Sequence, residues 1–319
     1  MSSDAVSARF SGFFGSPLRY PGGKGRLGPW LANVIETNDL KGGWYVEPYA
    51  GGAGAALYLP LHERVEHIVI NDADPLIHAF WQSVVKNSAA FEAMIRETPV
   101  TMESRARLKD VVANPSGRSK LELGFAAFFL NRTSRSGILA GGVIGGKAQS
   151  GVYKLDARYG HEDLIARVRA IGALRNRITV LGMDALDLLL DCSPGFPSKS
   201  LVYLDPPYYV KGSQLYRNHY QHADHESIAC CVQQAKYPLL ISYDDCPEIR
   251  DLYHGMNSSK FSLQYSTHLT RPTANEIMFY ANLTLPGPPK LTRGAQLPKR
   301  RAETAQPTPS HQSSQFAHF

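Results

Sequence analysis

Short apolar runs that break off at an acid or a glycine, each leading into a helical stretch, constrain this chain more than any other feature. "WYVEPYAGGAGAALYL" (44–59) reads as strand, Gly-rich turn and helix, and "RITVLGMDALDLLL" (177–190) as strand, acidic turn and helix. "EHIVINDADPL" (66–76) contains a short buried strand, "HIVI", that ends in acids. "SLVYLDPPYYV" (200–210), "YPLLISYDD" (237–245) and "ANEIMFYANL" (274–283) supply three more strands. Such runs alternating with helices predict an α/β fold, a largely parallel sheet with helices on both faces. Sheets of this kind bind ligands at the carboxyl ends of their strands, which is where the acids, glycines and prolines fall.

The 319 residues suffice for one large domain or a domain with a sizeable insertion. Residues 91–175 interrupt the strand–helix rhythm with helical segments and then a Gly/Ser-rich loop carrying Arg132, Arg135 and Lys147. They read as an inserted, mostly helical recognition region between two parts of a core, 16–90 and 176–285. Residues 1–15 read as a loose arm, and 286–319, rich in Pro, Gln, Ser, Lys and Arg, as a disordered tail. Lys plus Arg outnumber Asp plus Glu by 34 to 28, a mild excess that fits a nucleic-acid partner. The four cysteines form no C-x-x-C pair, so reduced thiols are expected rather than a zinc site or a disulfide framework. No signal-peptide pattern and no apolar run long enough for a membrane span occurs, so the expected location is the cytoplasm.

In "EPYAGGAG", Gly51, Gly52 and Gly54 stand between a strand and a helix, where glycine lets backbone approach a ligand. Asp72 ends the next strand, the position from which a carboxylate accepts hydrogen bonds from ribose hydroxyls. Together they indicate a nucleoside-containing ligand, for which NAD and S-adenosylmethionine both fit. The glycines do not follow G-x-G-x-x-G, which disfavours a pyrophosphate. "PLRYPGGKGRL" (17–27) is a second Gly-rich loop, not a phosphate-binding P-loop, because Gly25 follows the lysine where Ser or Thr would hold magnesium.

"LVYLDPPYYV" (201–210) ends a strand on a carboxylate, a stiff double proline and two tyrosines. The exocyclic amine of a base is a poor nucleophile because its lone pair is delocalised into the ring. Acceptors aimed at its N–H groups let the nitrogen become tetrahedral. Asp205 can accept one N–H and the Pro206 carbonyl the other, while Pro207 stiffens the turn and Tyr208 offers a stacking face. A base in a duplex must first be extruded. Cytosine C5 methylation would need a nucleophilic cysteine, commonly after proline, and no Pro-Cys dipeptide occurs. The histidines of "YRNHYQHADHES" (216–227) lack a helix-face acid pair and read as a loop or lid without a metal.

In their order, "LRYPGGKGRL", "VEPYAGGAGAAL", "NDADPLI" and "YLDPPYY" resemble the D12-class, Dam-like adenine-specific DNA N6-methyltransferases, alpha group. The resemblance spans most of 16–285. It implies a Rossmann-like methyltransferase core, S-adenosylmethionine as methyl donor, double-stranded DNA as partner and methylation of adenine N6; a cognate restriction endonuclease is compatible with that role. Carried over by position, Tyr20 and Lys24 border the cofactor pocket and Arg19 faces DNA. Glu47, Pro48, Tyr49 and Gly51 form the cofactor loop, Asp72 takes the ribose and Asp184 lies near the cofactor adenine. Asp205, Pro206, Pro207 and Tyr208 are the catalytic motif. "FFLNRTSRSG" resembles the start of a target-recognition region, and the loop after it departs from the F-N-x-P-x-G pattern of Dam itself. Competing readings are an RNA adenine methyltransferase, a nicotinamide-dependent oxidoreductase, which leaves D-P-P-Y unexplained, and a non-catalytic DNA-binding protein.

Overall fold

A computed structural model describes residues 15–20, 24–210, 220–264 and 273–291. Seven strands form one sheet: β1 (Trp44–Glu47), β2 (His67–Asn71), β3 (Ile178–Leu181), β4 (Ser200–Leu204), β5 (Leu239–Asp244), β6 (Asn257–Gln264) and β7 (Thr273–Ala281). Their order is β3-β2-β1-β4-β5-β7-β6. The first five are parallel, β7 runs antiparallel against β5, and β6 pairs antiparallel with β7 at the edge. This is a Rossmann-like α/β sheet. The chain builds outward from β1 through β2 to β3, then returns to the other side of β1 with β4. The order reverses between β1 and β4, and a crevice at such a reversal is where open α/β sheets hold ligands.

Both faces of the central strands are apolar, as burial between two helical layers requires. Tyr45, Ile68, Ile70, Leu201, Tyr203 and Leu240 face one core cluster, which includes Trp30 and Leu31 of α1 (Gly28–Thr37), Leu57 of α2 (Gly54–Leu61) and Phe80 of α3 (Pro75–Lys86). Val46, Val69, Val202, Leu204 and Ile241 face the other. There they meet Ile228 and Val232 of a helix over His222–Gln234 and Ile249 of one over Pro247–Leu252.

The helical part of residues 91–175 is built into this core. It comprises α4 (Ser88–Glu97), α5 (Met102–Ala113), α6 (Lys120–Thr133) and α7 (His161–Ala173). Phe91 and Phe128 lie 5.7 and 6.0 Å, centroid to centroid, from Phe80 on α3. Gly124 lets α6 approach α3 closely, since a Cβ there would come within 2.6 Å of the Ala79 carbonyl. A capping box of Ser119 and Glu122 starts α6. Residues 134–160 are mostly irregular, with an isolated bridge between Ser134 and Val143.

Strand β6 lacks an apolar run and was not expected from the sequence. The arm expected at 1–15 lies, Gly15 excepted, outside the described residues, as do residues 292–319 and His219 of the histidine-rich stretch. Residues 286–291, the start of the expected tail, dock on the body: the Gly287 carbonyl accepts the Trp30 indole N–H at 3.2 Å, and Leu291 packs against the core. No helix among the described residues is long and apolar enough to cross a membrane.

Candidate active site

Three strand ends meet around Asn71. Its buried amide donates to the carbonyls of Pro48 and Met183 at 2.9 and 3.0 Å, and its oxygen accepts the Met183 N–H at 2.9 Å. One side chain thus ties the loops after β1 and β3 to the tip of β2. The turn after β1 enters the left-handed region at Gly51 (φ +44) and Ala53 (φ +45) before α2 begins. A Cβ on Gly51 would stand 2.7 Å from the Tyr20 ring, so glycine is required there both for conformation and for space. A Cβ on Gly54 would lie 2.9 Å from the Gly25 Cα, so the two Gly-rich loops read from the sequence pack directly on one another.

The acids of this region fall into two settings. Asp72 is partly exposed and accepts the Gly51 N–H at 2.8 Å and the Asp74 N–H at 2.9 Å. Desolvation pushes its carboxyl up to about 6 against those two donors. Asp184 is exposed at the end of β3 and caps the next helical turn through the Leu186 N–H. Glu47 is buried and accepts the Ala56 N–H at 3.2 Å; burial, then Asp205, holds its carboxyl well above the usual range. Tyr49 shares a hydroxyl contact of 2.9 Å with Tyr220.

Beside the turn, β4 ends in Asp205–Tyr208. Asp205 Oδ1 takes two donors at 2.8 Å, the Lys24 ammonium and the Ser242 hydroxyl. Ser242 is held in turn by Tyr203, hydroxyl to hydroxyl at 2.8 Å. Lys24, only 4 % exposed, also donates to Tyr208 Oη at 3.2 Å and sits 3.3 Å from Glu276 Oε2. Burial opposes its charge, but Asp205 and Glu276 hold its pKa well above the lysine value. The loop is clamped at its far side by Asp244, which accepts the N–H groups of Tyr209 and Val210 at 3.0 and 3.1 Å.

The sequence motifs therefore converge. Tyr20, Gly51 and Asp72 surround the turn after β1, and Lys24 and Asp205–Tyr208 meet at the end of β4. Pro206, Pro207 and Tyr208 are buried, and Tyr208 Oη donates to Glu276 Oε1 at 2.7 Å. Lys24, read beside the cofactor loop, directs its ammonium to Asp205. Asn71, Ser242, Asp244 and Glu276 were not singled out from the sequence. Asn71 and Asp244 lie at strand ends, and that position is the signal by which they could have been found.

The basic residues separate. Arg19 is tied to α6 and the turn after it: its N–H donates to Asn131 Oδ1 at 2.8 Å and its guanidinium to the Ser134 carbonyl at 3.1 Å. Arg132 donates to the carbonyls of Arg158 and Pro17 at 2.7 and 3.3 Å, and desolvation with Arg167 and Arg19 nearby lowers it to about 9. Arg135 and Lys147 are exposed. Among the described residues no group of three His, Cys, Asp or Glu side chains could hold a metal ion.

Residues 20–111 match the model of the D12 class N6 adenine-specific DNA methyltransferases. The match takes in most of the first motif and all of the second and third, bearing out the resemblance read from them; "YLDPPYY" lies beyond it. No curated protein matches the chain. Among solved structures, the chain is similar to a provisionally assigned RNA methyltransferase of Pyrococcus horikoshii, at 11 % identity and TM-score 0.36 over 87 % of this chain and 96 % of that one. It is also similar to a provisionally assigned class I S-adenosylmethionine-dependent methyltransferase of Listeria monocytogenes, at 14 % identity and TM-score 0.37 over 83 % and 62 %. A third, provisionally a methyltransferase and solved with SAH, gives 7 % identity and TM-score 0.31 over 78 % and 48 %. These likenesses are weak; the strand order defines the fold.

Proposed function

We propose that this chain, whose residues 20–111 carry the D12-class pattern, is a site-specific DNA adenine N6-methyltransferase that uses S-adenosylmethionine. The observation that carries the reading is Asp205. Its Oδ1 is occupied by Lys24 and Ser242, and Oδ2 has no partner among the described residues. An oriented acceptor stands at the carboxyl edge of the sheet, next to a glycine turn and a ribose-type acid.

The residues at the strand ends fit the methyl donor. Asp72 already accepts two backbone N–H groups, but a carboxylate offers about four acceptor sites, so hydroxyl donors remain accommodated. Asp184 adds an exposed carboxylate at the end of β3. S-adenosylmethionine supplies a methyl group on a sulfonium centre. The protein's part is to orient the amine: Asp205 Oδ2 accepts one N6–H, the Pro206 carbonyl accepts the other, and the nitrogen lone pair is freed for attack. The fixed Asp205 needs no reorganisation as positive charge develops on N6.

The ribose role makes cofactor binding pH-dependent. Asp72 accepts hydroxyl hydrogen bonds best when ionised, and its carboxyl titrates at about 6. Cofactor affinity is therefore expected to fall as the pH drops through about 6. Asp72→Ala is expected to weaken binding by about 10–100-fold at neutral pH and to remove this dependence. Calorimetry at a series of pH values checks both; equal affinity in wild type and Asp72→Ala would count against the ribose role.

Residues 134–160 form the recognition element in this reading, with the exposed Arg135 and Lys147 toward DNA. Loss of a guanine-reading arginine costs about 1–3 kcal/mol of discrimination at one base pair. Arg135→Ala is expected to relax the sequence preference at one position. Arg132→Ala is expected to leave preference intact and lower stability by about 1–3 kcal/mol, because two carbonyls lose their donor. Methylation of a randomised duplex library, with long-read mapping of N6-methyladenine, separates these outcomes. Methylation of RNA and not of the duplex would overturn the DNA assignment.

A further inference from the structure

Glu276 belongs to no motif, yet it is one of the most buried charged groups of the protein, at 1 % exposure. It lies on β7, opposite Asp244 of β5. Because β7 runs antiparallel, this early part of the strand lies beside the carboxyl end of β5, next to the candidate active site. Glu276 Oε1 accepts Tyr208 Oη at 2.7 Å, and Oε2 lies 3.3 Å from Lys24 Nζ.

An ammonium has three N–H groups. The Lys24 ammonium donates to Asp205 Oδ1 and Tyr208 Oη and pairs ionically with Glu276 Oε2 at 3.3 Å. Tyr208 accepts from Lys24 and donates to Glu276, so its hydroxyl direction is fixed. Lys24 and Ser242 both donate to the same oxygen of Asp205, which selects the other oxygen for the substrate. We propose that Glu276 is a positioning residue for methyl transfer: it anchors the Lys24 ammonium and the Tyr208 hydroxyl, and through Lys24 it presents Asp205 Oδ2 to the target amine. This inference rests on the adenine N6 reading above.

The charges support the geometry. A lysine paired with Asp205 alone would draw charge from that carboxylate and weaken it as an acceptor; a second carboxylate on the same ammonium shares this pull. The other groups facing the cluster are Glu47 and Tyr45 from β1, and Tyr203, itself bonded to Ser242 of β5. Burial, then Asp205, raises Glu276 above the usual glutamate range, with Lys24 opposing. Glu276 must be ionised for this pairing to hold. The acid limb of the rate profile should therefore include the proton taken up by Glu276.

The test is single-turnover methyl transfer to an adenine-containing duplex, measured across pH with Glu276→Gln and Glu276→Asp. Glu276→Gln is expected to slow transfer about 30-fold, to leave cofactor and duplex affinities within about twofold, and to remove the Glu276 contribution from the acid limb. Glu276→Asp keeps the charge with a shorter reach. It is expected to lose about tenfold in rate and keep that contribution to the acid limb, and it decides the matter if the glutamine variant does not fold. An unchanged rate, or a rate loss matched by lost cofactor affinity, overturns the positioning role. Titration of Lys24 by NMR, with labelled lysine side chains, provides a readout independent of catalysis. If wild type methylates no adenine substrate but Lys24 titrates lower in the foldable variant, the adenine reading fails and the anchoring stands. If Lys24 does not move, the inference itself fails.

Discussion

Asp205→Ala is expected to reduce methyl transfer by at least about 10²–10³-fold, the usual cost of removing one oriented polar group from a reacting centre. Cofactor affinity should stay within about threefold of wild type, because in the proposed reading Asp205 addresses the target amine and Asp72 the cofactor. The loss should fall on the chemical step. Asp205→Asn keeps an acceptor oxygen but gives up the charge, and it should retain more activity than alanine. Incorporation of labelled methyl groups into duplex DNA, alongside calorimetry with S-adenosylmethionine, distinguishes these effects. A variant that turns over near the wild-type rate would remove Asp205 from the mechanism; one that also loses cofactor would move it to the other half of the site.

Lys24→Met should have the largest effect on stability. It leaves Asp205 and Glu276 as neighbouring carboxylates without their shared cation, and breaking a buried pair in this way costs about 3–5 kcal/mol. For a domain of this size the melting midpoint should fall by about 10 °C at pH 8. The sign of the pH dependence follows from the shifts. The pKa of Lys24 is raised on folding, so its contribution is complete below the ordinary lysine value and fades only as the pH climbs through the folded one. Glu276 is also raised, and without Lys24 it rises further. A raised carboxyl favours the folded state at low pH and loses that advantage as the pH rises through its folded pKa. The gap between wild type and Lys24→Met should therefore narrow from pH 8 to pH 5. A gap that stays constant in differential scanning calorimetry would mean that the two carboxylates do not feel the missing ammonium.

The parts of the site that could be read from the chain are those where backbone and chemistry coincide. Gly51 and Gly54 are visible because only glycine permits the turn and the contact with Gly25. Asp205–Tyr208 is visible because two prolines after an apolar run fit no continuing strand. Glu276 was hidden for the opposite reason. Inside "ANEIMFYANL" a single acid looks like a solvent-facing position of an ordinary strand, and only the antiparallel direction of β7 brings it to the end of β4. Ser242 was equally silent within "LLISYD". Strand β6 escaped because "NSSKFSLQ" is a polar edge strand paired on one side only, with little apolar surface to bury. The two arginines of "NRTSRSG" looked equivalent in sequence, yet the fold turns Arg132 onto backbone carbonyls and leaves Arg135 exposed.

The direction of β7 also bears on when the molecule becomes competent during synthesis. Lys24 emerges before Asp205 and Asp205 before Glu276, with a separation of 252 positions between Lys24 and Glu276. The strands that precede Gly51, Asp72 and Asp184 can pair before β7 exists, so a growing chain can assemble the proposed cofactor side of the site well ahead of the side that holds Asp205. Loop closure over such spans comes late in folding. A ribosome-bound chain halted after β5 would carry Lys24 and Asp205 without Glu276, so in the proposed reading the site is completed only when β7 has been made.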